Sequence, residues 1–166
     1  EKPVIAHVME AVLASRARPQ VVVLGHQAHS VRQVLSSYSI NTSLISIENP
    51  DYEQGMSTSL RVGLDILQSM DSTHSIDSAL VLLGDQPFVS SKVIDTLIDR
   101  RIQSGQEIIA PVYHGRRGTP VLFAASLFPE LAEVKGDEGG KSVVARHQDQ
   151  LELVEINDIL AHHDVD

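Results

Sequence analysis

Cysteine is absent from the 166-residue chain. Its absence excludes disulfides, cysteine-based zinc sites, iron–sulfur clusters and thiol nucleophiles, and it fits a reducing, cytoplasmic setting. Basic residues are scarce as well: 13 Lys and Arg stand against 22 Asp and Glu, for a formal net charge of -9. General nucleic-acid binding takes most of its affinity from a basic face and is therefore not expected. An anionic ligand would need a cation, or a local cluster of Arg and Lys, to offset the charge. No apolar run approaches the ~20 residues of a membrane span, and no signal-peptide pattern is visible. The Walker Gly-Lys-Ser/Thr, the zinc His-Glu-x-x-His and the hydrolase Gly-x-Ser-x-Gly are all missing. Among the eight His, His26 and His29 are too close for one helical face, and His162-His163 beside Asp164 and Asp166 reads as a solvated tail or a metal site.

What is present is ordinary for a globular protein, with 42% apolar and 21% charged residues. Apolar runs and helical patterns alternate. Val4, Ile5, Val8, Met9, Val12 and Leu13 share one helical face, as do Val31, Val34, Leu35 and Tyr38, then Leu60, Leu64 and Leu67, then Val93, Ile94, Leu97, Ile98 and Ile102. Ser90 or Ser91 is placed to cap the last of these. Val21-Val22-Val23-Leu24 reads as a strand buried on both sides. Leu44 to Ile47 reads as the next strand, ended by Asn49-Pro50-Asp51. Ala79 to Leu83 is the most apolar run and a candidate central strand. Ile108 to Val112 and Val121 to Phe123 read as strands joined through a Gly-Arg-Arg-Gly turn. A short helix over 142–147 and a strand over 151–156 follow. The pattern predicts a single α/β domain over 1–166: a mostly parallel sheet with helices on both faces and one late antiparallel element.

Four segments carry chemistry. In open α/β sheets, ligands gather at the carboxyl ends of strands. Asp85, in Leu83-Gly84-Asp85-Gln86-Pro87, sits directly after the most apolar run, where a carboxylate either holds Mg²⁺ or caps a turn or helix. Gln54-Gly55-Met56-Ser57-Thr58-Ser59 opens a helix, with Ser and Thr as anion donors or as an ordinary N-cap. Gly115-Arg116-Arg117-Gly118-Thr119-Pro120 either presents two guanidinium forks or forms a solvated turn. Gly136-Asp137-Glu138-Gly139-Gly140-Lys141 is a flexible loop opening a helix, with Lys141 and Arg146 nearby.

Taken in order, "EQGMSTSLRVGL" (53–64), "LVLLGDQPFV" (80–89), "GRRGTPVLF" (115–123) and "GDEGGKSVV" (136–144) resemble the MobA-like nucleotidyltransferases, and are closest to the cytidylyl-transferring branch that acts on the molybdenum cofactor. The resemblance implies a Rossmann-like three-layer sandwich. It also implies transfer of CMP from CTP to the phosphate of molybdopterin, giving molybdopterin cytosine dinucleotide and pyrophosphate. By position it makes Asp85 the catalytic Mg²⁺ ligand and Asp166 a second metal carboxylate. Ser57, Ser59 and Gly84 would lie at the nucleotide, and Arg117, Gly118 and Pro120 near the pterin. CTP (or GTP) and the molybdopterin cofactor are the implied partners, with a molybdoenzyme as receiver of the product. The acceptor phosphate is largely dianionic at neutral pH, its second pKa being ~6, so no strong general base is required. The family's opening Leu-x-Ala-Gly segment and the Thr-Pro-Glu-Asp stretch after Asp166 are not in this sequence, and Thr119 stands where His is frequent. The chain is thus expected to be a portion of a longer protein, lacking the first strand, the phosphate loop and the extreme C-terminus. Alternatives are a guanylyltransferase, a transferase with another phosphorylated acceptor, and a non-catalytic nucleotide- or cofactor-binding module.

Overall fold

The computed structural model describes residues 2–37 and 44–157, so the expectations for Tyr38, His162, His163 and Asp166 lie outside the described residues. The chain divides into two compact units, each assembled from separated stretches of sequence.

One unit is formed by Glu1–Arg18, Leu80–Phe123 and Asp149–Asp166. Its helices are α1 (Val4–Ala14) and α4 (Ser91–Ser104). The periodic apolar face of α1 buries Ala6, Val8 and Met9, and that of α4 buries Val93, Ile94 and Leu97. Ser90 is the N-cap of α4: its hydroxyl accepts from the Val93 amide at 3.3 Å, and Gly105 closes the helix at φ 71°. Arg16, just past α1, donates to the Asp99 carboxylate at 2.6 Å and to the Asp95 carbonyl at 3.1 Å, tying α1 to α4. The Asp99 carboxylate, through that hydrogen bond, holds the guanidinium above its usual pKa.

The sheet of this unit runs β3 (Ser78–Val81), β6 (Val121–Ala124), β4 (Ile108–Tyr113) and β5 (Arg116–Arg117), with β7 (Leu151–Glu155) also on β4. β7 pairs with β4 in parallel, Ile108 facing Leu151, whereas β5 and β6 pair with it antiparallel. β7 covers one edge of β4, and β6 and β5 share the other edge at opposite ends. All six β4 residues are buried. The central strand is therefore β4, not the Ala79–Leu83 run. β3 stops at Val81, pairs with β6 at the end of the sheet order, and leaves Leu80, Leu82 and Leu83 half-buried. Strand burial follows the number of flanking partners, which a local run of leucines does not report. Val93, Leu97, Ile109, Leu122 and Val154 form the core cluster, joined by Leu80, Ile98 and Ile156. Each such side chain contributes about 1.5–3 kcal/mol on burial.

The other unit comprises Pro19–Ala79 and Ala124–Gln148. β1 (Gln20–Leu24) and β2 (Leu44–Glu48) are parallel, with Gln20 facing Leu44 and Leu24 facing Glu48. Val21, Val22 and Val23 are only half-buried, in contrast to the doubly buried strand expected. α2 (Ala28–Ser36) and α3 (Met56–His74) lie against β1, where Gly63 of α3 faces Val23, and α3 also packs on α5 (Phe128–Ala132). α6 (Lys141–Arg146) ends the unit.

The described strand pairs with assigned direction are two parallel and two antiparallel, so the architecture is α/β but only partly parallel. Antiparallel pairing arises because β4, β5 and β6 are joined by short turns that cannot make a parallel crossover. No helix among the described residues is long and apolar enough to cross a membrane.

Glu130 of α5 receives the ring Nε2–H of His147 at 2.6 Å and Arg146 at 2.5 Å. The His147 hydrogen bond first, and Arg146 second, hold its carboxyl below the usual carboxylate range. A depressed folded-state pKa gives stabilisation that is complete above the unfolded value of about 4.3 and is lost as pH falls through the lower folded value. Glu130→Gln should therefore be less stable than the parent at pH 7, by no more than about 1 kcal/mol for so solvated a pair. The difference should vanish in urea titrations carried out at acidic pH, below the ordinary carboxylate range.

Candidate functional site

Asp85 occupies an exposed turn between the end of β3 and the cap of α4. Gly84 precedes it, and an added β-carbon there would stand 3.1 Å from the Ile5 side-chain tip. The turn closes through the Val89 amide, which donates to the Gln86 carbonyl at 3.3 Å. Of the two readings left open for Asp85, the helix cap is taken by Ser90. The Asp85 side chain is exposed, and no residue among those described donates a hydrogen bond to its carboxylate. A single carboxylate of this kind can serve as one ligand of a divalent cation. Mg²⁺ binds one or two carboxylates and completes its shell with waters and substrate phosphates. Among the described residues no group of three or more His, Asp or Glu is gathered for an all-protein cage.

The Gly115–Pro120 segment is anchored to this same turn. His114 (φ 50°) and Gly115 (φ 78°) form a two-residue hairpin turn between β4 and β5, with the paired left-handed angles that such turns favour. Gly118 donates to the Pro111 carbonyl at 2.9 Å and lies against the Tyr113 ring, 2.7 Å from where a β-carbon would stand. The Tyr113 hydroxyl donates to the Thr119 carbonyl at 2.9 Å. The Thr119 hydroxyl donates to the Gln86 side-chain oxygen, and the Thr119–Pro120 peptide is cis. Gln86 directly follows Asp85, so two of the four sequence motifs meet here. Pro120 is buried and Gly118 half-buried, whereas Arg116 and Arg117 are exposed. Of the residues expected near the pterin, Arg117 is therefore the one offering a charged group, and its guanidinium has no partner among the described residues.

The other two motifs meet in the second unit. Gly55, at φ 109°, precedes α3, and its α-carbon lies so close to the Gly136 backbone that an added β-carbon would be 2.6 Å from the Gly136 carbonyl carbon. The amides at the start of α3 are occupied. Met56 donates to the Asp137 carboxylate at 3.0 Å, Ser57 to the Gly136 carbonyl at 2.9 Å and Thr58 to the Gly55 carbonyl at 3.1 Å. The local Ser/Thr N-cap does not describe this helix start. A loop 81 residues away caps it, with an acidic group at the positive end of the helix dipole. Ser57 is buried and Ser59 half-buried.

Asn49, read in the sequence only as a strand terminator, holds this region together. It is 1% exposed; its amide nitrogen donates to Thr58 Oγ1 at 2.8 Å and to Ser59 Oγ at 2.9 Å, while its oxygen accepts from the Asp51 amide at 3.0 Å. The available signal was a buried-type Asn between a strand and a turn, which sequence alone does not distinguish from a loop Asn. In the 136–141 loop, Lys141 is exposed and nearby Arg146 is engaged with Glu130. The His26 and Tyr52 rings meet in a tilted arrangement, with ring centres 6.0 Å apart and planes at 60°.

A sequence profile described as "MobA-like NTP transferase domain" matches residues 1–151. The chain is 29% identical over 166 residues to nicotine blue oxidoreductase of Paenarthrobacter nicotinovorans, covering 95% of this chain and 75% of that protein. It is 26% identical over 161 residues to the bifunctional protein GlmU of Exiguobacterium sibiricum, covering 94% of this chain but 31% of GlmU, so it spans about a third of that relative's length. The manganese complex of Rv0371c from Mycobacterium tuberculosis superposes with a TM-score of 0.72 at 23% identity, over 92% of this chain and 76% of that one. The 4-diphosphocytidyl-2C-methyl-D-erythritol synthase of Anaerococcus prevotii gives 0.71 at 11% identity, over 98% and 79%. At these identities the structures share the Rossmann-like α/β fold.

Proposed function

Because the chain belongs to the MobA-like NTP transferase domain family, we propose that it transfers CMP from CTP to the phosphate of molybdopterin, giving molybdopterin cytosine dinucleotide and pyrophosphate. The observation that carries this reading is the solvent-facing Asp85 carboxylate, unclaimed by any described residue, in the turn after β3. Support for cytidylyl chemistry comes from the fold neighbours, one a diphosphocytidyl synthase and another a synthetase complexed with CTP.

In this reading an oxygen of the dianionic acceptor phosphate bonds to the α-phosphorus of CTP, and the bond from that phosphorus to pyrophosphate breaks. Repulsion between the two anions is the main obstacle, since the nucleophile needs no deprotonation. Asp85 would hold Mg²⁺, with Asp166 as the second carboxylate, and Mg²⁺ bound there supplies charge neutralisation at the phosphate oxygens. Ser57 and Ser59 belong to the nucleotide-binding segment, with Ser59 offering the half-buried hydroxyl. Gly84 keeps the nucleotide-side turn free of a side chain. Arg117 supplies a fork to the pterin phosphate or ring edge, on a strand held in place by Gly118 and Pro120.

Calorimetric titration with CTP and GTP, each with and without Mg²⁺, tests the proposal. The expected result is Mg²⁺-dependent binding that favours CTP, followed by pyrophosphate release when molybdopterin is added. A preference for GTP moves the assignment to guanylyl transfer. Binding of neither nucleotide by the folded protein would replace the transferase reading with a non-catalytic one.

A further inference from the structure

We propose that Asn49 is a positioning residue that fixes the polarity of the Ser59 hydroxyl, holding it as a hydrogen-bond donor to an acceptor atom of the bound nucleotide. The inference rests on the nucleotide-binding reading of Ser59 and adds to it the residue that prepares that hydroxyl.

The hydrogen-bond network allows one assignment. The Asp51 backbone amide can only donate, and it donates to one side-chain atom of Asn49 at 3.0 Å, so that atom is the oxygen. The other atom is the nitrogen, and its two hydrogens go to Thr58 Oγ1 and Ser59 Oγ, 2.8 and 2.9 Å away. Thr58 passes its own proton to the Gly55 or Asp51 carbonyl, at 2.9 and 3.1 Å, and is satisfied. Ser59 is in a different state. Its oxygen has accepted from Asn49, and its hydrogen meets no acceptor among the described residues. A half-buried hydroxyl whose oxygen is already engaged has its donor left for a ligand. Asn49 itself is anchored at both ends of the motif, because its backbone amide donates to the Leu24 carbonyl at 2.7 Å, where β1 ends. The amide thus transmits the position of the β1 and β2 termini to the first turn of α3. A nucleotide offers many acceptors and few donors, so a hydroxyl with one lone pair already taken by Asn49 and its proton still to give matches it.

The sharpest test exchanges Asn49 for Asp. The shape and the bond from the Asp51 amide persist, but a carboxylate cannot donate, so Ser59 must turn its proton inward. CTP affinity should fall roughly three- to tenfold in Asn49→Asp, as for loss of one hydrogen bond. Ser59→Ala should lose a similar factor, and the double variant little more than either alone. Melting temperature is recorded for every protein. If Asn49→Asp does not fold, Asn49→Ala against Ser59→Ala decides by the same criterion of shared rather than additive loss. A folded Asn49 variant with parental affinity, or losses that multiply in the double variant, would overturn the assignment while leaving CTP binding by the parent intact. Failure of the parent itself to bind CTP would overturn the nucleotide reading, and this inference with it.

Discussion

Replacing Asp85 with Ala should lower kcat/KM for nucleotidyl transfer by about 10³-fold or more, equivalent to roughly 4 kcal/mol of transition-state stabilisation, without unfolding the protein. The two halves of this expectation have separate structural grounds. Stability should change by no more than about 0.5 kcal/mol, because the side chain is exposed and no described residue donates to it. Activity should collapse because, on the proposed reading, the carboxylate would hold the cation that offsets the charge of the triphosphate, on a protein whose own net charge is -9. Asp85→Asn, which keeps the shape and removes the charge, should be nearly as impaired, and the Mg²⁺ dependence of CTP binding should be lost in both. Steady-state kinetics beside thermal melts read the two effects apart. Near-parental turnover by a folded Asp85→Ala protein would remove Asp85 from the chemistry.

The second large effect concerns stability. Gly55→Ala should destabilise the protein by about 3 kcal/mol, from left-handed strain and steric overlap together. The overlap is with main chain: the new carbon would lie 2.6, 2.7 and 2.9 Å from the carbonyl carbon, oxygen and α-carbon of Gly136. Backbone on both sides of the contact leaves no flexible side chain to move aside. Gly136→Ala is the internal comparison. It has a positive φ of 65°, closer to the left-handed helical region than the 109° of Gly55, and nothing within 4 Å of the added carbon, so it should cost only about 1 kcal/mol. Urea unfolding of the three proteins measures the difference. Equal losses in the two variants would show that strain rather than contact governs the junction.

The helices were legible because their cores are set by local spacing. The faces carrying Val8 and Met9, or Val93 and Leu97, are periodic in the sequence and buried in the structure, although Val4 and Ile102, expected on the same faces, are exposed near the helix ends. The same local logic narrows the cap to Ser90 or Ser91, and the structure makes it Ser90. α5 was not foreseen, since Phe128–Ala132 is a little over one turn and shows no period. The rank of the strands was also hidden. Leu80 to Leu83 is more apolar than Ile108 to Tyr113, yet β4 is the buried centre because three strands pair with it. At the site, the four motifs were visible one by one, but their pairing was not. Nothing local to Met56 announces a cap from Asp137, and nothing local to Gln86 announces a bond from Thr119. Asn49 was hidden by its own chemistry, because an Asn that ends a strand and an Asn that orients a hydroxyl look alike in a sequence.

The cap on α3 sets an order of events during synthesis. The ribosome releases Met56 long before Asp137, so the nascent helix waits with its leading amides bonded to water. Closing a loop of 81 residues is entropically slow, and until it closes Gly55 has no Gly136 to rest against. Ser57 and Ser59 thus reach their final setting only after the chain has been made past the glycine-rich loop. A ribosome stalled anywhere before that point would present β1, β2 and α3 as a fragment whose longest helix still lacks its cap.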